Sequence, residues 1–275
     1  MSHLTPSLPD LSSDYALTTQ QITDYREQGH ILLRGVCSAE EVAAYRPILT
    51  GTVQSHSHHL PPLEERDTYG KAFIQIGNLW VKNEAARPFV LARRFAKIAA
   101  DLMGVTGVRL YHDQALYKEA GGGLTPWHQD QYYWPLDTDN TVTLWMPLVD
   151  VSIEMGALTF ASGSHKEGLL GHLAISDESH ETWERHVQEK GYPVVRDVMQ
   201  AGDVTFHAGL TLHSAPGNSS TLDREVMTII YYPDGVRTFA EPDNPARWND
   251  FHSIYPGGTP GELAISELTP LLYSR

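Results

Sequence analysis

The spacing of apolar positions along the chain changes near residue 108. Before this point apolar residues recur every three or four positions, as in Val42, Tyr45 and Leu49, which is typical of helices with one buried face. After it, short runs of β-branched and aromatic residues alternate with clusters of Gly, Pro, Asn and Asp, which predicts antiparallel strands. Helices followed by strands indicate an α+β fold, a double-stranded β-helix (jelly roll) with supporting N-terminal helices.

Three helices are predicted before the strands. Two of them begin at capping boxes, formed by Thr18 with Gln21 and by Ser38 with Glu41, in which a hydroxyl residue and the residue three positions later cap each other. The third helix is expected over about residues 88–103. A polar insertion over 176–191, between two of the later strands, is also expected to be helical.

The strand predictions come from runs rich in aliphatic and aromatic residues. They cover residues 31–33, 108–118, 141–149, 158–161, 203–212 and 226–232. No internal repeat and no linker rich in Pro, Gly or Ser divides the chain. Residues 1–275 are therefore expected to form a single domain, with the jelly-roll core over about 108–232.

The charge of the chain bears on its partners. It has 20 basic and 34 acidic residues and a formal net charge of −14. Because such a surface repels polyanions, neither a nucleic acid nor an anionic membrane is an expected partner. A CoA-sized polyanion is disfavoured for the same reason, and a free small organic molecule is the expected substrate.

Cysteine usage and hydropathy narrow the class further. Cys37 is the only cysteine, so no intrachain disulfide, Cys-based zinc site or iron–sulfur cluster is expected, and any transition metal would need His and carboxylate ligands. The first residues resemble no targeting peptide, and no uncharged apolar run of about 18 residues occurs. A soluble, cytoplasmic protein is expected, and its oligomeric state is not constrained.

The segment around residue 128 has the spacing of a metal motif. Side chains at positions i and i+2 of a strand share a face, so His128 and Asp130 can reach one ion while Gln129 points away. A third ligand must come from far along the chain, and His213, at the end of the predicted strand over 203–212, is the candidate. Two imidazoles and one carboxylate form the facial triad of non-haem Fe(II) oxygenases, which leaves adjacent coordination positions open.

The open positions suit a particular cosubstrate. A 2-oxo acid can chelate iron through its keto and carboxylate oxygens, and O₂ can take the remaining position. A distal carboxylate, as in 2-oxoglutarate, needs a fixed cation, preferably a guanidinium. Arg224 lies eleven residues after His213 beyond a predicted turn, so the two are expected on neighbouring strands that line one cavity.

Other side chains near these motifs leave alternatives open. Strand parity places Gln114 on the same face as Lys118, directed either into the cavity or to solvent. The aromatic residues around the metal motif form either a substrate wall or packing between the sheets: Trp127, Tyr132, Tyr133 and Trp134.

Two further groups of histidines were weighed as ligands. His207 shares strand parity with His213, but six residues of strand span about 20 Å, so it is expected to be structural and not a fourth ligand. His56, His58 and His59 are either a second metal site or, beside two prolines, a mobile loop.

The ordered motifs resemble the phytanoyl-CoA dioxygenase family of Fe(II)/2-oxoglutarate-dependent oxygenases. The resemblance covers about residues 110–232. It rests on an ordered set of segments: Trp127-His128-Gln129-Asp130, Gly156-Ala157-Leu158-Thr159-Phe160, Ser162-Gly163-Ser164-His165, Gly202-Asp203, and His213 to Asn218 running on to Arg224.

The resemblance implies roles for particular residues. His128, Asp130 and His213 would bind and activate iron, Arg224 would bind 2-oxoglutarate, and Lys118 and Trp145 match positions that help to bind this cosubstrate. Family halogenases replace the carboxylate ligand by a small residue. Because Asp130 is present, hydroxylation of a C–H bond, with release of succinate and CO₂, is the expected reaction.

Two other classes of protein are compatible with the same ligands. A jelly roll can hold a metal without turnover, as a binding protein, and a cupin-like isomerase or hydrolase can use similar ligands with zinc. Succinate formation that depends on O₂ distinguishes the oxygenase from both.

Overall fold

The computed structural model describes residues 7–171 and 173–275. The first six residues lie outside the described residues. The expectation of no targeting segment partly rests on them. The helices that the later sections use are α1 (Thr19–Gln28), α2 (Ala39–Ser57), α3 (Thr68–Ala72), α4 (Leu79–Lys82), α5 (Arg87–Val90), α6 (Arg93–Met103), α7 (Asp177–Lys190) and α8 (Pro245–Ile254). The strands are β1 (His30–Leu33), β2 (Ile74–Gly77), β3 (Gly107–Tyr117), β4 (Thr125–His128), β5 (Val142–Pro147), β6 (Thr159–Ala161), β7 (Val194–Arg196), β8 (Val204–Ala208), β9 (His213–Ala215), β10 (Val226–Pro233) and β11 (Leu271–Ser274).

The strands form two antiparallel sheets. The larger has the order β1-β8-β5-β10-β3-β11, with β2 also paired to β3, and the smaller has the order β4-β9-β6-β7. From β3 to β10, every connection except that between β6 and β7 crosses from one sheet to the other. The predicted jelly roll with additional helices is confirmed, while its extent as one domain stays a prediction.

The larger sheet separates α2 and α6 from the cavity. Along β5, Val142, Leu144 and Met146 belong to the core that includes residues of α2 and α6, whereas Thr143 and Trp145 line a cavity on the other face. This alternation follows from the two-residue period of a strand. The helical layer therefore buries one face of the sheet and leaves the other for chemistry.

Local signals in the sequence place several helices correctly. Both capping boxes form, with Thr18 paired to Gln21 and Ser38 paired to Glu41. The polar insertion is helical as α7, and its Trp183 packs with Trp127 beside β4. Within the described residues, none of these helices is long and apolar enough to cross a membrane.

Three expectations about the elements are wrong. The helix predicted over 88–103 is two helices, α5 and α6, because Ala92 has an extended backbone between them. The strand predicted over 203–212 ends at Ala208, and the chain turns before β9 begins in the other sheet. His56, which was expected in a loop or a second metal site, instead lies in the last turn of α2, while His58 is the C-cap and His59 lies in the turn that follows.

The backbone at Gly202 provides a test of how the N-terminal helices dock on the sheet. Its φ is +89°, and a Cβ there would overlap the carbonyl oxygen of Cys37. Gly235 has a φ of +85° with no atom within 4 Å of such a Cβ. We expect Gly235→Ala to lower the free energy of unfolding by about 1–2 kcal/mol from the left-handed backbone alone. Gly202→Ala should lower it clearly more, because the steric overlap is added.

Urea-induced unfolding of both variants measures this difference. Equal losses in the two variants would show that the contact between Gly202 and Cys37 relaxes without cost.

Candidate metal centre and its cavity

The three predicted ligands meet at one point between the sheets. His128 and His213 are cross-strand partners in the β4–β9 pair, with ring centroids 4.1 Å apart. Asp130 follows in a single 3₁₀ turn over Asp130–Tyr132. The candidate ligand atoms all lie within 4.8 Å of one another, and the Nε2 atoms of both histidines are 3.6 Å from Oδ1 of Asp130. These distances allow one ion to contact all three side chains.

Backbone carbonyls orient both imidazoles. Nδ1–H of His128 donates to the carbonyl of Pro126 at 2.8 Å, and Nδ1–H of His213 donates to that of Thr211 at 2.9 Å. In a neutral ring this leaves the lone pair on Nε2, the atom that faces Asp130. Burial and the nearby His128 lower the pKa of His213 well below its ordinary value, which keeps this ring neutral. This orientation leaves both Nε2 atoms available to a metal ion.

Asp130 uses one carboxylate oxygen for structural contacts. Oγ1 of Thr143 donates to Oδ2 at 2.8 Å, and Nε2 of His207 lies 3.3 Å from the same oxygen. Burial alone would raise the pKa of this carboxyl, but the imidazoles of His213, His128 and His207 lower it well below its ordinary value. The carboxylate is therefore ionised, with Oδ1 directed at the two histidines.

The route by which these residues meet differs from the prediction. The strand ends at His128, so Asp130 converges through a turn and not through strand parity. Gln129 points away as expected, since its amide donates to the carbonyl of Leu210 at 2.6 Å. The expectation that His207 lies far from the centre is wrong, because the chain turns after Ala208 and returns to the centre through β9.

The triad opens onto a cavity of about 260 Å³. Arg224 lines the same cavity, in the segment before β10, and is 2% exposed. Its Nη1 donates to the carbonyl of Gly156, its Nε has no partner, and its guanidinium lies 5.3 Å from the ring centre of Trp145. No ion pair among the described residues involves Arg224. Burial lowers the pKa of this guanidinium to about 9, so it remains a cation at neutral pH.

His213 and Arg224 share the cavity, as expected, but not by lying on neighbouring strands. β9 belongs to the smaller sheet and β10, which follows Arg224, to the larger one, and both residues line the same cavity. Trp145 and Gln114 also line the cavity, which leaves their predicted cosubstrate contacts open to test.

Lys118 has a different environment from the other predicted cosubstrate residues. It is fully buried, and its Nζ donates to the carbonyl of Gly123 and lies 3.3 Å from Oγ1 of Thr125. Thr125 lines the cavity, whereas Lys118 is not among the lining residues. Its role in binding 2-oxoglutarate stays a prediction.

The aromatic residues of the metal motif divide between the two predicted roles. Tyr133 and Trp134 line the cavity, while Trp127 of β4 packs against Trp183 and Val187 of α7. The sequence analysis missed other lining residues, because they lie in segments that carry no motif: Tyr69, Phe73, Gln75, His112 and Asp250. Among the described residues, His56, His58 and His59 do not gather with other ligands into a cluster of three.

The donor set fits a divalent transition metal with a bound anion. Two neutral imidazoles and one carboxylate match the ligands of non-haem iron. The unpaired guanidinium provides a counter-charge for a carboxylate in the same cavity.

The family model for phytanoyl-CoA dioxygenase matches residues 25–226 of this sequence. The chain belongs to this family. Such a match covers most of the chain and includes every residue of the candidate centre.

Individual relatives agree with this result. The chain is 25% identical to a probable alpha-ketoglutarate-dependent hypophosphite dioxygenase of Stutzerimonas stutzeri, over 77% of either chain. It is 27% identical to 1-deoxypentalenic acid 11-beta-hydroxylase of Streptomyces exfoliatus, over 78% of this chain and 82% of that one.

A similar solved structure contains bound iron and alpha ketoglutarate. The epimerase SnoN, crystallised with Fe3+, alpha ketoglutarate and nogalamycin RO, is 25% identical over 92% of this chain and 97% of its own, with a TM-score of 0.73. Our protein is therefore an iron- and 2-oxoglutarate-dependent oxygenase. This excludes the two alternatives of the sequence analysis, a metal-holding binding protein and a cupin-like isomerase or hydrolase.

The environment of Lys118 predicts a pH-dependent stability. Burial, with a contribution from Arg224, lowers the pKa of Lys118 to about 6, against about 10.4 in an unfolded chain. Between these values the unfolded chain binds one more proton than the folded one, so stability rises with pH. We expect the wild type to gain up to about 1.4 kcal/mol per pH unit relative to Lys118→Met between pH 7 and 9.

Urea-induced unfolding of both proteins at several pH values measures this gain. If the two curves of unfolding free energy against pH run parallel, Lys118 is charged in the folded protein and the assignment is wrong.

Proposed function

We propose that His128 and His213 through Nε2, and Asp130 through Oδ1, hold iron(II), and that Arg224 binds the distal carboxylate of 2-oxoglutarate. The reaction is hydroxylation of a C–H bond in a small organic molecule. When bound, iron, 2-oxoglutarate and O₂ together would supply the oxidising equivalent, and 2-oxoglutarate would be converted to succinate and CO₂. The protein's own residues hold the ligands, neutralise charge and enclose the reacting atoms.

The observation that carries this proposal is the buried guanidinium of Arg224 on the triad's cavity. A buried cation without a counterion is costly, and a bound carboxylate would relieve this cost. Its position across the cavity from the triad suits a ligand with an acid at each end, such as 2-oxoglutarate. Trp145 packs on one face of the guanidinium and limits the directions in which the cation can bind an anion.

Thr143 and His207 have a positioning role in this proposal. Both contact Oδ2 of Asp130, so they leave Oδ1 for the ion and oppose a bidentate contact. A carboxylate that binds through one oxygen leaves more of the coordination sphere open for 2-oxoglutarate and O₂.

Hydroxylation is favoured by the intact carboxylate ligand. Halogenases of this family have a small residue at the position of Asp130, which makes room for chloride. The relative from Streptomyces exfoliatus is named as a hydroxylase, which agrees with this choice. A small-molecule substrate agrees with the cavity of about 260 Å³. The cytoplasmic location and the absence of nucleic-acid partners stay predictions.

The role of Arg224 is tested by the affinity for 2-oxoglutarate. We expect Arg224→Met to weaken binding by about 30-fold or more, because the distal carboxylate would lose its only charged partner. Arg224→Lys, which keeps the charge without the planar fork, should bind with intermediate affinity. Anaerobic titration of the Fe(II) protein with 2-oxoglutarate, followed by the visible charge-transfer band, gives the half-saturation point. An unchanged half-saturation point in Arg224→Met would refute the assignment.

The metal ligands and their supporting residue are tested by iron affinity. His128→Ala should abolish stoichiometric binding of Fe(II), since a ligand is lost. His207→Ala should weaken binding by about 10-fold, the lower end of the effect of residues that orient metal ligands. Anaerobic competition with a chromogenic chelator measures both affinities.

His186→Ala is the matched control, because His186 pairs with Glu167 outside the cavity. It should bind Fe(II) as the wild type does. Full iron content in His128→Ala would show that the ligand set is wrong.

A further inference from the structure

The wall of the cavity contains a second carboxylate, that of Asp250. Asp250 lies on α8 and lines the same cavity as the triad. The phenol of Tyr111 donates to its Oδ2 at 2.8 Å, while Oδ1 has no partner among the described residues. No Lys, Arg or His nitrogen of this part of the chain lies within ion-pair distance of it. The proposed metal and cosubstrate contacts leave this carboxylate unused.

Tyr111 fixes the position of this carboxylate. The phenol ring is fully buried and packs against Trp134 and Tyr232, with ring centroids 5.7 and 6.2 Å away. A donor held in a packed aromatic cluster has little freedom to move, so the carboxylate that it binds is also fixed. Burial raises the pKa of Asp250 to about 6, and the hydrogen bond from Tyr111 opposes this rise. At neutral pH the group is mainly an anion, which a cationic ligand would stabilise.

Among the described residues that line the cavity, no positive charge is left to balance Asp250 once iron and 2-oxoglutarate are bound. Arg224 is the only Lys or Arg that lines the cavity among the described residues. Iron(II) and Arg224 together with Asp130 carry two positive charges, which the two carboxylates of 2-oxoglutarate neutralise. The histidine on this wall, His112, is neutral because burial lowers its pKa to about 4. Asp250 thus makes the remaining space electrically negative.

The side chains around this space suit an organic cation. Tyr69, Tyr133 and Trp134 present aromatic rings to the cavity, and such rings attract cations. The polar groups on this wall are uncharged: the hydroxyl of Tyr69 donates to Oε1 of Gln75 at 2.5 Å, and Gln75 bonds to Gln114. Tyr69 is 38% exposed and stands at the entrance. The remaining wall is apolar, with Phe73 as an example.

We infer that Asp250 binds a protonated amine of the substrate, and that the substrate is a small organic cation with an apolar body. The amine contacts Oδ1 of Asp250 beside the aromatic rings, and the apolar body extends along the cavity towards the iron. This assignment rests on the proposed function, because it takes the triad and Arg224 as already occupied. An anionic substrate would meet an unpaired negative charge in this space and bind poorly.

Three molecules with one carbon skeleton test the charge preference. Phenethylamine is a cation, phenethyl alcohol is neutral and phenylacetate is an anion. Isothermal titration calorimetry measures their affinities for the anaerobic protein loaded with Fe(II) and 2-oxoglutarate. We expect the amine to bind about tenfold or more tightly than the alcohol, and the acid to bind most weakly.

Two Asp→Asn substitutions test whether Asp250 causes the preference for the amine over the alcohol. Asp250→Asn keeps the shape of the side chain and an acceptor for Tyr111, and it should bring the affinities for amine and alcohol within about threefold of each other. Asp139→Asn removes the same charge from an exposed loop and should preserve the preference of the wild type. Thermal unfolding of each variant verifies that it is folded.

The outcomes separate this inference from the proposed function. The charge-transfer band of the same samples reports iron and 2-oxoglutarate binding, so its absence would contradict the proposed function instead. With the band present, the inference is overturned if the wild type does not bind the amine at millimolar concentration or binds it no better than the alcohol. It is also overturned if Asp250→Asn retains the preference. If Asp250→Asn fails to fold, the relative affinities of the wild type for the amine and the alcohol still test the inference.

Discussion

The antiparallel pairing of β4 with β9 is the contact on which the whole centre depends. In this register His128 lies directly opposite His213, and the turn that follows brings Asp130 to the same point. A slip of one residue would direct one imidazole to the opposite face, because side chains alternate along a strand. Since β4 and β9 are short, the packing of Trp127 and α7 on the smaller sheet contributes to holding this register.

Unpaired charge is the second organising feature of the interior. Arg224 is buried without an acidic partner, and Lys118 is buried nearby with a strongly lowered pKa. Such groups reduce the stability of the free protein. Of the two, only Arg224 lines the cavity, and its positive charge is available to an anion there. Asp250 has the opposite sign on the wall of the same cavity, and under our proposals the two ligands would be distinguished by charge.

Our proposals assign the reaction and the choice of substrate to different parts of the chain. The triad and Arg224 come from the jelly roll and its connecting turns, whereas Asp250 and Tyr69 come from helices outside it. Members of one family can therefore keep the chemistry and change the substrate by altering peripheral helices. In this chain, Tyr111 on β3 links the two parts, because it bonds to Asp250 from inside the sheet.

The sequence by itself determined the fold class, the capping of the first helices and the family, and it singled out three side chains that the structure brings together. Those features depend on local spacing or on chemically distinctive motifs, which a linear pattern retains. Only the tertiary structure decided how the residues meet. The turn after Ala208 brings His207 to Asp130, although a continuous strand would have separated them. The tertiary structure also decided that Asp250 faces the cavity. The sequence around a single carboxylate on a short helix does not indicate which surface it will face, because this depends on how the helix packs.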